Sequence, residues 1–361
     1  MKKLLSIGLA AMLAFGLATT SFAASEGTTE KNPSAATIKK HYVMENEGTT
    51  APDETFEFTV TATKVTDAAT GVTKDNMPMI GTSDGKGGYT ATVDFKSNPV
   101  ATTDGQVLEN SFNVALPECD SQVAAPATGE RYTVYPSVGV YTYTLTEKDN
   151  KTAGVIYDTA KDKGDITVVV TVEQDPTNGL IRVVGVHAER PYDKSNKTDI
   201  IENKYQAGTL SVSKKVEGNM GNKDKYFKFT VTLNAPENKE VKSAIGVGET
   251  SFPKNPEGII VGKATGFYLK DGETLSFTNV PYGVTYTVVE ENEGYTTTVN
   301  GTDGTTANGT IGGKTTNVAY INTKNGEVDT GVVLNNMPYI LVLAVLAAGV
   351  AVFIIRKRRE D

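Results

Sequence analysis

The chain of 361 residues has no tryptophan, two histidines and one cysteine. A lone Cys119 cannot form an intrachain disulfide, so sulfur stapling of the fold is excluded. His41 and His187 are too few to build a histidine-based metal or catalytic cluster. Without tryptophan there are no indole platforms on which sugars could stack. No Ser-His-Asp arrangement, Cys-His pair or metal-ligand spacing occurs, and nothing singles out a hydrolytic pair of carboxylates. The expectation is therefore a protein without a cofactor or metal, and not an enzyme acting on an external substrate. Positive charge is also short: 35 Lys and Arg face 43 Asp and Glu, a net of −8. Both chain ends carry more bases than acids, so the portion between them is more acidic still. That balance argues against nucleic acid or an anionic lipid surface as partner.

Long apolar runs occur only at the two ends. Lys2 and Lys3 precede the apolar stretch Leu4 to Leu17, followed by Thr-Thr-Ser-Phe-Ala-Ala. This is the layout of a secretory signal peptide, residues 1–23, with Ser21 and Ala23 at the small-residue cleavage positions. Near the other end, Pro338 opens an uncharged run long enough to cross a bilayer, 338–355. Arg356, Lys357, Arg358 and Arg359 follow at once and hold that side in the cytoplasm as a short tail, 356–361. Everything before the helix faces outward.

Between the ends the chain is rich in Thr, Val, Tyr and Gly in alternating runs: Phe56-Glu-Phe-Thr-Val-Thr-Ala, Val140-Tyr-Thr-Tyr-Thr-Leu-Thr, Ile166-Thr-Val-Val-Val-Thr-Val and Tyr286-Thr-Val-Val-Glu. A period of two bounded by turn residues reads as strands, and about 300 mature residues suit two β-sandwiches. An internal repeat divides them. Ala36-Thr-Ile-Lys-Lys and Glu54-Thr-Phe-Glu-Phe-Thr-Val-Thr in the first copy match Leu210-Ser-Val-Ser-Lys-Lys and Lys225-Tyr-Phe-Lys-Phe-Thr-Val-Thr in the second. Tyr143-Thr-Leu-Thr-Glu147 matches Tyr286-Thr-Val-Val-Glu290, each followed by a polar loop and a Tyr, Tyr157 or Tyr295. Each copy ends in an apolar strand reaching an Asn, Asn203 or Asn322. The expected domains are 24–206 and 207–326. Whether the first carries an inserted element between Thr66 and Val107 is open at this point.

Side-chain parity brings chemistry into the cores. On strands, Ala36, Ile38 and Lys40 share a face, as do Tyr143, Leu145 and Glu147; Asn203 lies two residues after Ile201. In the second copy Leu210, Val212 and Lys214, then Tyr286, Val288 and Glu290, then Tyr320 and Asn322, align likewise. If the apolar members point inward, so do Lys, Glu and Asn. Burial favours a neutral lysine and a protonated glutamate. A neutral amine can attack a carboxamide carbon, while the acid hydrogen-bonds the amide oxygen and shuttles protons. Ammonia leaves and a Lys–Asn isopeptide bond remains. The alternative reading of each triad is a buried Lys–Glu ion pair with a nearby Asn.

The Lys-Lys first strands, Phe-x-Phe second strands, Leu269-Lys-Asp-Gly-Glu273, Asn279-Val-Pro-Tyr-Gly283, the Tyr-x-[Leu/Val]-x-Glu strands and the ending Glu327-Val-Asp-Thr-Gly331 together resemble the two-domain backbone pilins of Gram-positive bacteria. The resemblance implies an all-β fold of two tandem Ig-like, collagen-adhesin B-type sandwiches. It implies isopeptide bonds Lys40–Asn203 and Lys214–Asn322, with Glu147 and Glu290 assisting; Lys39 and Lys215 are alternatives if the register slips. It also implies that residues 327–331 form a sortase sorting motif, cut between Thr330 and Gly331, although the motif's usual proline is missing. The partners implied are a pilus-class or housekeeping sortase, other copies of the chain in a covalent polymer, peptidoglycan, and host or surface ligands. The inter-subunit acceptor would be Lys197, or else Lys194, in the polar stretch before Asn203. The implied location is extracellular and cell-wall-anchored, in a fimbrium, after transient membrane insertion. A monomeric wall-anchored adhesin of the same domain type is the alternative.

Overall fold

A computed structural model describes residues 33–117, 134–158, 165–176, 179, 181–190, 200–252, 256–327 and 337–360. The expected signal peptide, Cys119, Lys194, Lys197, Thr330 and Gly331 lie outside these residues. The first half contains β1 (Ala35–Met44), β2 (Glu54–Thr66), β3 (Thr82–Ser83), β4 (Tyr89–Phe95), β5 (Gln106–Ala115), β6 (Gly139–Glu147), β7 (Val155–Ile156), β8 (Ile166–Gln174), β9 (Ile181–Glu189) and β10 (Ile200–Tyr205). The second contains β11 (Ala207–Glu217), β12 (Phe227–Asn234), β13 (Gly246–Val247), β14 (Thr265–Leu269), β15 (Thr274–Pro281), β16 (Thr285–Glu290), β17 (Thr296–Val299), β18 (Thr302–Asp303), β19 (Thr306–Thr310) and β20 (Thr315–Thr323). One helix, α1 (Met337–Glu360), follows.

Each half is a pair of facing sheets around its own apolar core. In the first, a four-stranded sheet β5-β1-β10-β7 faces a six-stranded sheet β3-β4-β2-β6-β8-β9. In the second, a six-stranded sheet β13-β15-β11-β20-β17-β18 faces a four-stranded sheet β14-β12-β16-β19. The segment between Thr66 and Val107 is no separate body: β4 pairs with β2 and β5 with β1, within the same sandwich. The alternation legible in the sequence sets these faces. Phe56, Phe58 and Val60 of β2 are buried, as are Phe227, Phe229, Val231 and Leu233 of β12.

The first and last strands of each half are parallel neighbours. In β1 and β10, Lys40 pairs with Ile201 and Tyr42 with Asn203. In β11 and β20, Lys214 pairs with Tyr320 and Val216 with Asn322. The lysine thus sits two residues before the position opposite the asparagine in both halves, a spacing that leaves the two side chains on the same face.

The halves meet at a polar joint. Asn46 Nδ2 donates to Ala207 O (2.7 Å) and to the Tyr282 hydroxyl (2.8 Å). Asn279 clamps Thr50, accepting from its N–H and donating to its carbonyl, both at 3.0 Å. Glu54, almost fully buried, pairs with Lys242 at 3.2 Å and accepts from Thr152. Gly154 lies in this joint with φ +76°, and a Cβ there would meet Gln206 O at 2.5 Å, so the close approach requires glycine. α1 is separate from both cores; its residues Tyr339–Lys357 are long and apolar enough to cross a membrane, and they are exposed.

Candidate functional site

Three strands deliver the three side chains of each cluster. Lys40 (β1) and Asn203 (β10) come from one sheet, and Glu147 (β6) reaches across from the other. Lys214 (β11), Asn322 (β20) and Glu290 (β16) repeat the arrangement. In both halves the glutamate pairs with the second phenylalanine of the Phe-x-Phe strand, Phe58 with Glu147 and Phe229 with Glu290. All six polar residues are buried, Lys40 and Asn203 completely.

The carboxyl group sits between the amine and the carboxamide. In the first cluster Lys40 Nζ lies 3.0 Å from Glu147 Oε1 and 3.1 Å from Oε2, and Asn203 Nδ2 donates to Oε1 at 2.7 Å. In the second, Lys214 Nζ and Asn322 Nδ2 donate to the same oxygen, Glu290 Oε1, at 2.7 and 2.5 Å. The sequence argument places the glutamate on the amide oxygen; the structure places it on the amide nitrogen. The nitrogen is the carboxamide's donor, and a carboxyl oxygen accepts from it in either protonation state. Lys39 and Lys215 point outward, pairing with Glu109 at 3.7 Å and Glu217 at 2.5 Å, with 41% and 63% of their side chains exposed.

Aromatic rings dry out both sites. Lys40 Nζ is 4.9 Å from the Phe56 centroid and 5.6 Å from that of Phe58; Lys214 Nζ is 4.4 and 5.9 Å from Phe227 and Phe229. Ring faces attract a cation, but loss of water outweighs that attraction and the glutamate's pull. Burial lowers both lysines to about 8, from an ordinary 10.5. Burial likewise raises Glu147 and Glu290 above the usual carboxylate range, against the pull of the adjacent ammonium. Both shifts favour the neutral amine and neutral acid. Among the described residues no cluster of His, Cys, Asp and Glu could hold a metal ion.

Sequence reasoning missed a second layer around the first cluster. The backbone N–H of Asp158 donates to Asn203 Oδ1 at 2.9 Å. The Asp158 carboxylate accepts from Arg190 Nη2 at 2.6 Å and from the Glu202 N–H at 2.9 Å. A cleft lined by Phe58, Glu147, Asp158, Asp165, Arg190 and Ile201 opens beside it. The available signal was an acid directly after Tyr157, where the second copy has Thr296 after Tyr295.

Residues 36–206 match the FctA family, described as the Spy0128-like isopeptide containing domain. Residues 208–324 match a domain of unknown function, DUF7601. A pilin of Streptococcus pyogenes serotype M1 is 29% identical over 371 residues, covering 96% of this chain and 98% of that protein. The chain is a pilin relative. The crystal structure of the major pilin from Streptococcus pyogenes aligns with this pilin relative over 82% of the chain and 100% of its own, at 24% identity and a TM-score of 0.48. A pilus-presented adhesin, Spy0125 (Cpa), aligns over 45% of the chain and 37% of its own, at 21% identity and a TM-score of 0.30.

Proposed function

We propose that this pilin relative is the backbone subunit of a covalently assembled surface pilus, and that each half locks itself with a Lys–Asn isopeptide bond. The observation that carries the second statement is the repeated cluster: the same three residue types, from equivalent strands, in the same register, at hydrogen-bond distance in a dry core. Lys40 Nζ attacks Asn203 Cγ, and the carbonyl electron pair moves onto Oδ1. Glu147 passes the proton lost by Nζ to Nδ2, which it already contacts at 2.7 Å. The carbonyl re-forms, the Cγ–Nδ2 bond breaks, and ammonia leaves. Lys214, Glu290 and Asn322 follow the same steps. Each cluster turns over once, on itself.

The assembly reading rests on the pilin relationship and on the chain ends. α1 would hold the exported precursor in the membrane while a sortase cuts between Thr330 and Gly331. The acyl group of Thr330 would pass to Lys197 of the next copy, or to peptidoglycan at the base. Intact and peptide mass spectrometry tests the internal bonds: the mature chain should lack two ammonia molecules, with one linked peptide pair per half. An unchanged mass would sink that reading. An immunoblot of wall extracts tests polymerisation. A ladder lost on Lys197→Arg supports the acceptor assignment, a ladder lost only with Lys194→Arg moves it, and a single band in the wild type indicates a monomeric adhesin.

A further inference from the structure

We propose that the backbone N–H of Asp158 is the oxyanion donor for bond formation in the first half, and that the Asp158 carboxylate and Arg190 position it. The inference rests on the isopeptide reading above and adds a group that speeds that chemistry in the first half. When Nζ attacks Cγ, negative charge develops on Asn203 Oδ1. Glu147 contacts the amine and the amide nitrogen, so it leaves that oxygen to another donor. The Asp158 N–H is already there, at 2.9 Å, within the range of effective oxyanion donors.

The donor is held from two sides. Asp158 Oδ2 accepts from the N–H of Glu202, the residue immediately before Asn203. The same oxygen accepts from Arg190 Nη2, and Arg190 Nη2 also donates to Ile200 O at 3.0 Å, at the start of β10. One carboxylate and one guanidinium therefore tie the segment carrying the N–H to the strand carrying the reacting carboxamide. The pair is largely out of water, with Asp158 and Arg190 side chains 2% and 17% exposed, so its hydrogen bonds hold a fixed geometry. The second half has no counterpart: among the described residues Asn322 Oδ1 lacks a hydrogen-bond partner, and β17 places Thr297 opposite Asn322.

The two halves of one molecule supply the control. In the full chain, pulse labelling followed by peptide mass spectrometry gives the linked fraction at each cluster over time. Asp158→Ala should slow linkage at Lys40–Asn203 by roughly 10-fold, a fraction of the effect of deleting an oxyanion donor outright, and leave Lys214–Asn322 at the wild-type rate. Asp158→Asn keeps an oxygen acceptor for Arg190 and the Glu202 N–H, so it should restore most of the rate. Arg190→Gln should slow the first cluster alone. Equal rates in wild type, Asp158→Ala and Arg190→Gln would overturn the inference while leaving the isopeptide reading intact. Asp158→Asn as slow as Asp158→Ala would also overturn it, because the group would then act by charge and not by placement. If Asp158→Ala leaves the first half protease-sensitive, Asp158→Asn and Arg190→Gln decide. A wild-type chain linked at neither cluster overturns the isopeptide reading itself, and this inference with it.

Discussion

The two clusters hold the same three residues but are surrounded differently. In the first, both oxygens of Glu147 contact Lys40, and the Asn203 carboxamide is satisfied at nitrogen and oxygen. A second carboxylate, Asp158, adds its field to that of Glu147 at the lysine, and its partner Arg190 opposes it to a lesser extent. In the second, one oxygen of Glu290 takes both donors, and Glu290 Oε2 and Asn322 Oδ1 have no partner among the described residues. Strand register alone assembles the trio; what lies around it is free to vary. On the isopeptide reading, the difference separates what the reaction needs from what tunes it.

The largest effect expected is from Glu290→Ala. It removes the proposed proton shuttle, and with it the proposed cross-link, which by analogy with a loop-closing disulfide would contribute about 5 kcal/mol. It also strands a buried lysine, a loss of about 3–5 kcal/mol when one partner of a buried pair is deleted. Glu147→Ala should cost less in thermal or denaturant unfolding, because the field of Asp158, larger there than the opposing field of Arg190, still acts on Lys40. If the first half suffers more, the comparison is broken. Next is Asn322→Ala or Asn203→Ala, which prevents the bond but keeps the ion pair. Each should lose only the closure contribution, about 5 kcal/mol, with the ammonia-loss signature gone from that half alone.

A smaller effect should appear with pH. In the Asn203→Ala, Asn322→Ala double variant both lysines remain free amines. Their folded values are lowered to about 8, against 10.5 in an exposed chain. Between those values the unfolded chain binds more protons, so stability of the variant rises with pH relative to wild type, whose lysine nitrogens are amides on the proposed reading. Unfolding midpoints of both proteins measured from pH 7.5 to 10 should converge upward; a constant gap would contradict the burial of the free amines. The smallest effects belong to Lys39→Ala and Lys215→Ala. These exposed surface pairs should leave both the ammonia loss and the unfolding midpoint as in wild type.

Much of this was legible because strand parity is rigid. Ile38 and Lys40, Leu145 and Glu147, and Tyr320 and Asn322 share faces whatever their neighbours are, so apolar burial drags the polar member inward. What parity cannot give is which strands adjoin. The parallel pairing of β1 with β10 and β11 with β20 depends on long-range contacts, and only that pairing sets Lys40 two residues before the partner of Asn203. The orientation of the Asn203 carboxamide was equally hidden, since it depends on a backbone N–H that any residue but proline at position 158 could supply. The joint between halves was invisible for the same reason: Asn46 and Asn279 read as ordinary turn residues until the chain brings Ala207 and Thr50 beside them.

The parallel pairing has a mechanical consequence. Because β1 and β10 run the same way, a strand approaching at Ala35 and one leaving at Tyr205 sit at opposite ends of the sheet, and β10 continues directly into β11. With both bonds in place, a pull along the chain would run up β1 to Lys40, step sideways to Asn203, pass into β11 as far as Lys214, and step again to Asn322. The residues between each pair of bonded positions would hang beside this track and carry none of the force, so the sandwiches could not be unravelled by stretching their ends.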